Sequence, residues 1–173
     1  IPSLATDWEI SDDGLTYTFT IRDDAVWSDG TPITSTDAKF TYDAVASDLV
    51  ESPRKSDVSL FESVDIIDEK TFSITLSQVN CTIWNNLNNM RWMPAHVFAE
   101  DFSDVMTNDL NTNPAISGGP YILTEYQPDQ FQRYVANETF WRGTPEIPVL
   151  IQRPIQDPAV LIQALLAREV DYG

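Results

Sequence analysis

The sequence predicts an α+β fold, in which antiparallel or mixed sheets carry flanking helices. Three observations support this prediction: several segments alternate apolar and polar residues with the period of a strand, other segments have the period and the caps of a helix, and Asp-Gly or Gly-Pro turns separate them. The chain has 173 residues, of which 42% are hydrophobic. It is therefore long enough and apolar enough to bury a core.

Two strands with the same pattern are predicted to share one sheet. The first is Thr16–Ile21, and the second is Thr71–Leu76, which forms a hairpin with residues 64–67 across a turn at 68–70. Because successive side chains of a strand point to opposite faces, we expect the apolar residues of both strands to form one shared core. These residues are Tyr17, Phe19, Ile21, Phe72, Ile74 and Leu76.

A capped helix is predicted between these strands, over about residues 35–47. The segment Trp27-Ser28-Asp29-Gly30 is predicted to turn the chain before it. Thr34 and Asp37 have the spacing of a capping box, in which each side chain bonds the backbone amide of the other residue. The apolar residues that then recur at helical spacing are Ala38, Tyr42, Val45 and Leu49.

The middle of the chain is predicted to hold two short helices. Ile83, Trp84 and Leu87 indicate the first, and Pro94 is expected to open the second, over residues 95–101. The stretch between them, 88–92, is predicted to be a loop. A polar loop at 108–113 and a sharp turn at Gly118-Gly119-Pro120 follow, and this turn is the candidate boundary between two subregions.

Strands and one helix are predicted beyond that turn. Residues 121–126 and Phe131–Ala136 should form a hairpin, and Val149–Gln152 a further strand. Asp157 and Pro158 have the residue types of an N-cap and a first helical position, so a helix over 159–168 is expected. Its inward residues should be Val160, Leu161, Ala164 and Leu165.

The charge of the chain argues against several partners. Its formal net charge of −17, from 27 acidic and ten basic residues, repels phosphate backbones and anionic membrane surfaces. No nucleic-acid binding is therefore expected, and a solvated acidic surface suited to an extracytoplasmic or salty setting is favoured over a cation-binding role. No apolar run approaches the ~20 residues that span a bilayer.

The sequence contains no recognisable catalytic, metal or cofactor motif. His96 is the only histidine, which excludes a two-histidine zinc site, and a surface or capping role is expected for it. Cys81 is the only cysteine and is expected to be a small buried side chain. Phosphate-binding glycine motifs are absent. We therefore expect no enzyme activity, no metal site and no cofactor.

Several segments occur in the order found in one known family. They are "LATDWEISDDGLTYTFTIRDDAVWSDGTPITSTDAKFTYDAV", "VDIIDEKTFSITL", "MPAHVFAEDF", "ISGGPYILTEYQPDQ", "NETFWRGTP" and "LIQALLAREVDYG". The chain departs from the usual motifs at four places, with the first glycine shifted at Ser117-Gly118-Gly119, Glu138 for proline, Phe140 for tyrosine and Arg168 for glycine. With these departures, the chain resembles the family 5 extracellular solute-binding proteins of ABC importers, the oligopeptide-, dipeptide- and nickel-binding group.

The resemblance implies a partial periplasmic-binding-protein-like fold of type II, in which two lobes close over a ligand, and a much longer parent chain. Residues 1–115 would be the small subdomain of the first lobe, and 116–173 a return segment into the main part of that lobe, with the C-terminal lobe absent. A start at Ile1-Pro2-Ser3 fits an internal fragment or a secreted protein that has lost its signal peptide.

The implied function is to capture a peptide or other small solute and deliver it to ABC permease subunits in the membrane. The implied location is periplasmic or extracellular, with a membrane anchor on the full-length protein, which is expected to be a monomer. Two alternatives are an acidic secreted glycoside hydrolase, since carboxylates are plentiful, and a non-binding structural module of a surface protein.

A ligand-binding role is predicted for Asn88, Asn89, Arg91 and Trp92. The guanidinium could pair with a ligand carboxylate, the indole could stack on an apolar group and the amides could hydrogen-bond a peptide backbone. The resemblance places this stretch near the cleft. The alternative is that Trp92 packs inward, Arg91 pairs with a nearby acid and the asparagines only form the turn.

Overall fold

A computed structural model of the chain describes residues 3–111 and 113–172. Residue 112 of the predicted loop at 108–113, residues 1 and 2 of the predicted small subdomain and the last residue of the return segment lie outside this part. The rest of that loop contains a 3₁₀ turn at Asp109–Asn111. The described residues contain helices and two antiparallel sheets, which confirms the predicted α+β class.

The first sheet has four strands and comes from the first half of the chain. They are β1 (Ala5–Ile10), β2 (Thr16–Ile21), β3 (Phe61–Ile66) and β4 (Thr71–Leu76), in the order β1-β2-β4-β3. The prediction that β2 and β4 share one sheet is confirmed, and the two strands pair directly, with Phe19 opposite Phe72. Strand β1 was not predicted, because five of its six residues are exposed and it lies at the edge of the sheet, where alternation is weak.

The second sheet has three strands and comes from the second half of the chain. They are β5 (Tyr121–Gln127), β6 (Phe131–Ala136) and β7 (Val149–Gln152), paired in that order. The predicted hairpin and the predicted third strand are therefore confirmed.

Three α-helices accompany the sheets: α1 (Ser35–Ala46), α2 (Ile83–Asn89) and α3 (Pro158–Leu166). The Thr34–Asp37 capping box is present at the start of α1, and the Asp157 side chain accepts a hydrogen bond from the amide of Ala159 at the start of α3. Further 3₁₀ turns lie at Lys55–Asp57 and Ala95–Val97.

The main core is the face of the first sheet against which α1 packs. The six residues predicted to share a core are all buried in it, together with Ala38, Tyr42, Val45, Val58, Val64, Ile83 and Met90. The rings of Phe19 and Phe72 stack with their centroids 5.3 Å apart.

The helix predicted over 95–101 is wrong. Only the 3₁₀ turn Ala95–Val97 forms, and Pro94 is its N-cap rather than its first residue. Phe98 returns to extended backbone, so that its ring stacks on Phe40 at 5.8 Å. The backbone of Phe102 has a φ of 61°, and this ring also packs on Phe40. Burial of the two phenylalanines against α1 therefore outweighs local helix propensity.

Four smaller predictions are also wrong. Leu49 is 63% exposed because α1 ends at Ala46, before its position can face the core. Val160 is 54% exposed, and of the residues predicted to face inward from α3 only Ala164 is fully buried. Cys81 is exposed, since it lies in the turn that precedes α2. The stretch 88–92 is not wholly a loop, because Asn88 and Asn89 are the last residues of α2.

Candidate functional site

The candidate site is an open cavity of about 660 Å³. Its wall is mostly aromatic and aliphatic, and it includes all five tryptophans of the chain. The tryptophans are Trp8, Trp27, Trp84, Trp92 and Trp141. Ligand sites are typically apolar clefts of this size with a few polar groups that fix orientation.

Three of the four predicted ligand-binding residues line this cavity. Asn88, Arg91 and Trp92 contribute to its wall, whereas Asn89 does not. The three come together because α2 ends at Asn89 and the buried Met90 fixes the start of the loop that follows.

Arg91 is exposed, and its guanidinium donates a hydrogen bond to the backbone carbonyl of Asn88 at 3.3 Å. Within the described part of the chain, no carboxylate forms an ion pair with Arg91. The structure therefore does not contain the alternative ion pair between Arg91 and a nearby acid.

Trp92 is half-buried and packs its ring edge against Phe72, with centroids 5.5 Å apart. It also forms a hydrogen bond with Tyr42, a core residue that lines the cavity too. Burial raises the pKa of the Tyr42 hydroxyl to about 12, and the hydrogen bond from Trp92 opposes that rise. Trp92 thus packs inward on one side and faces the cavity on another.

A second part of the wall is the turn at Gly118-Gly119-Pro120. Two hydrogen bonds hold this turn against the Trp27 turn: the amide of Ser28 donates to the carbonyl of Ser117 at 2.9 Å, and the amide of Ser117 donates to the hydroxyl of Ser28 at 3.1 Å. A Cβ at Gly118 would lie 2.9 Å from Cδ1 of the buried Ile33. Any larger residue at this position would have to displace the end of the Ile33 side chain.

Trp27 is almost fully buried between the two parts of the wall. Its indole Nε1 is the one buried side-chain polar atom in the described residues that has no hydrogen-bond partner. Such groups are rare in folded proteins because each one costs free energy.

The third part of the wall is formed by Phe140, Trp141 and Arg142, in the loop after β6. The guanidinium carbons of Arg22 and Arg142 lie 3.6 and 4.4 Å from the centroid of the Trp141 ring. The buried Asn137 positions this loop, since its side-chain amide donates to the carbonyl of Gly119 at 2.8 Å. This loop was not identified from the sequence as part of a site. The only signal was the motif "NETFWRGTP" itself.

His96 lies outside the cavity wall. Its Nε2 is 2.7 Å from Oδ2 of Asp29, so it ties the 3₁₀ turn at Ala95–Val97 to the Asp29-Gly30 turn. Burial opposes ionisation of Asp29, but hydrogen bonds from the Thr31 backbone amide and from His96 outweigh it and lower the pKa of that carboxyl. This is the surface role that the sequence predicted.

The described residues contain no group of three or more His, Cys, Asp or Glu side chains placed to hold a metal ion. Among the helices of residues 3–111 and 113–172, none is long and apolar enough to cross a membrane.

The whole chain, residues 1–173, matches the family model of the bacterial extracellular solute-binding proteins, family 5, middle part. A Brucella ovis protein with the provisional name of an ABC transporter peptide-binding protein is 34% identical, over 99% of this chain and 33% of its own length. This chain therefore spans about a third of the length of that relative.

Two solved structures of binding proteins are also similar to this chain. The NikZ protein of Campylobacter jejuni, in complex with Ni(L-His), has a TM-score of 0.89 and 29% identity over 98% of this chain and 34% of its own. The oligopeptide-binding protein AppA of Bacillus subtilis, in complex with a nonapeptide, has a TM-score of 0.91 and 25% identity over 97% of this chain and 34% of its own.

Proposed function

Because the chain belongs to the family 5 bacterial extracellular solute-binding proteins, we propose that it forms one wall of the ligand cleft in the solute-binding component of an ABC importer. The parent protein would capture a peptide or similar small solute outside the cytoplasm and deliver it to permease subunits in the membrane. It would be held at the membrane by an anchor and would act as a monomer.

The observation that carries this proposal is the cavity with five tryptophans and two arginines in its wall. Indole rings offer large, rigid apolar surfaces and one N–H donor each, and the Arg91 guanidinium offers paired donors for a carboxylate. Among the described residues of the wall, no nucleophile has an adjacent base, and the large aromatic surface is suited to binding.

The names of the relatives support a solute-binding role and give no support to the glycoside hydrolase or the structural module. The proteins reported above are named for binding peptides or are solved with a nickel chelate or a nonapeptide, and none is named as an enzyme. These ligands are chemically diverse. We therefore propose as ligand a small solute, a class that includes both peptides and chelates.

We further propose that residues 1–115 form the small subdomain of the first lobe, that 116–173 return into its main part, and that the rest of the parent chain completes the cleft. The support is exposed apolar surface in the second segment. Strand β7 exposes Val149, Leu150 and Ile151, which point to both of its faces, and α3 exposes Val160, Ile162 and Leu166. Strands and helices that are apolar on all sides are normally covered.

The test is solute binding by the full-length parent, because most of the enclosing surface lies outside this chain. A pool of short peptides would be screened by calorimetry, and the best peptide titrated against Arg91→Ala, Trp92→Ala and the control Arg153→Ala, which removes an arginine outside the cavity wall. We expect the first two variants to bind a few-fold to ~100-fold more weakly, the effect of losing ~1–3 kcal/mol, and the control to bind normally.

Unchanged affinity in both cavity variants, at an unchanged melting temperature, would remove this loop from the site. A parent that binds no peptide, and no solute in a wider screen, would contradict the proposed function itself.

A further inference from the structure

The sequence contains two triplets of the form Asn-X-Ser/Thr in which X is not proline. They are Asn80-Cys81-Thr82 and Asn137-Glu138-Thr139. Such a triplet, called a sequon, is the acceptor at which glycans are joined to asparagine side chains in proteins that leave the cytoplasm. Because a glycan is bulky and polar, a folded protein can carry it only on an asparagine at its surface. The structure therefore distinguishes the two sequons.

The sequon at Asn137 is closed. Asn137 is 1% exposed, and its Nδ2 donates a hydrogen bond to the carbonyl of Gly119 at 2.8 Å. Its Oδ1 accepts from the amide and the hydroxyl of Thr139, at 3.1 and 2.8 Å. A glycan on this Nδ2 would have no space in the packed loop after β6 and would disturb the contact that positions it.

The sequon at Asn80 is open. It lies in the segment 77–82 between β4 and α2, in which Asn80 is half-buried and every other residue is exposed. Oδ1 of Asn80 accepts hydrogen bonds from the amide and the hydroxyl of Thr82, at 2.9 and 2.8 Å. Among the residues that the structure describes, none accepts a hydrogen bond from Nδ2 of Asn80. The atom that would carry a glycan is thus unengaged, on an exposed turn.

We propose that Asn80 is an N-glycosylation site of the parent protein and that Asn137 is not. The donor is a glycan linked through phosphate to a membrane lipid. In the transfer, Nδ2 of Asn80 loses a proton and forms a bond to the anomeric carbon of the glycan. The bond from that carbon to the phosphate oxygen breaks, and the lipid phosphate leaves with the electron pair. The proposal rests on the extracytoplasmic location proposed above.

A glycan at this position is compatible with solute binding. Residues 80–82 do not belong to the described wall of the cavity. The neighbouring Val79 is 61% exposed. A hydrated glycan on Asn80 would shield this apolar side chain from solvent and would leave the binding wall open.

The test is peptide mapping by mass spectrometry of the full-length parent, purified from the extracytoplasmic fraction of the organism that produces it. Trypsin cleaves after Lys70, Arg91, Arg133 and Arg142, so it places the two sequons on separate peptides, 71–91 and 134–142. We expect peptide 71–91 to carry a glycan, which fragmentation locates on Asn80. Peptide 134–142 should have its unmodified mass and is the internal control.

Three variants of the parent, produced in the same organism, test the role of the sequon. Asn80→Gln and Thr82→Val should abolish the glycan, whereas Thr82→Ser keeps the hydroxyl and should retain it. The Asn80→Gln protein should bind the peptide selected on the parent with unchanged affinity, because residue 80 lies outside the described cavity wall.

Four results would overturn the proposal: an unmodified peptide 71–91, a glycan attached only to serine or threonine, a glycan on Asn137, or a glycan that persists in Thr82→Val. A parent that is exported and binds a solute but lacks the glycan would keep its proposed function and lose only this modification. A parent that remains in the cytoplasm without a glycan would contradict the proposed location as well.

Discussion

Asp37, in the first turn of α1, accepts hydrogen bonds from the backbone amides of Thr34 and Ala95, each at 2.8 Å. One turn later, the Thr41 hydroxyl donates to the carbonyl of Asp37 and accepts from the amide of Met93 at 2.8 Å. Both side chains are buried. They hold the segment that follows Trp92 against the start of α1. In this way they fix the position of the loop that carries Arg91 and Trp92 at the cavity wall.

We expect Asp37→Ala to lower the free energy of unfolding by about 2–4 kcal/mol, since it leaves two backbone amides without their charged acceptor. Asp43→Ala, on the same helix, removes only a partly exposed ion pair with Lys39 and should cost less than about 1 kcal/mol. Urea unfolding of both variants measures the difference. Equal losses would mean that Asp37 does not join the two segments.

Tyr42 gives the fold a specific dependence on alkaline pH. Its pKa is raised from 10.0 to about 12 by burial, so the folded state holds the proton more tightly than the unfolded state. The contribution of Tyr42 to the free energy of unfolding is fully present below pH 10. It is lost as the pH rises from 10 towards 12, which lowers the free energy of unfolding by up to about 2–3 kcal/mol.

The substitution Tyr42→Phe removes the titrating hydroxyl and keeps nearly the same packing of the ring. We therefore expect this variant to lose less stability than the wild-type protein between pH 9 and 12 in urea unfolding, whatever its stability at neutral pH. The same pH dependence in both proteins would assign the alkaline loss to other groups.

At the scale of elements, the central pair of strands carries the core. Phe19 on β2 and Phe72 on β4 are opposite one another and almost fully buried. Replacing either by Ala should cost ~3–5 kcal/mol, because it removes a large apolar side chain and leaves a cavity. The exposed Thr20 on β2 serves as control, and Thr20→Ala should cost far less. Losses below ~1 kcal/mol at both phenylalanines would place the core elsewhere.

The elements that could be predicted from sequence are those in which local pattern and burial agree. Strands β2 and β4 alternate because one face is buried, and α1 has both its caps and its apolar period. Residues 95–101 lack that agreement, since Phe98 and Phe102 are drawn to Phe40 and break the helix. Cys81 and Leu49 are apolar residues at turns, where residue type does not determine burial.

The candidate site shows the same division. Arg91 and Trp92 could be predicted because their chemistry lies within one short stretch. Trp141 and Arg142 could not, because long-range contacts, such as the packing of the turn at 117–120 on the Trp27 turn, bring them to the same wall. The local sequence pattern does not indicate that long-range contact.

For the whole molecule, the exposed apolar residues of β7 and α3 predict a difference between this chain and its parent. The isolated 173-residue chain should self-associate as its concentration rises, because the unpaired edge of β7 and the bare face of α3 offer apolar surface to a second copy. The parent, in which further chain covers these elements, should stay monomeric. Sedimentation velocity separates the cases, and an isolated chain that remains monomeric at high concentration would contradict the proposed division into subdomain and return segment.

The most direct test of the proposal that this chain forms only one wall of the ligand cleft is a calorimetric titration. One peptide, selected for its binding to the parent, would be titrated into both the parent and the isolated chain of residues 1–173. A ligand enclosed between two lobes loses most of its buried surface when one is absent, so affinity falls with it. We expect measurable binding by the parent and weak or undetectable binding by the isolated chain. Micromolar or tighter binding by the isolated chain would contradict this, because the site would then be complete within these residues.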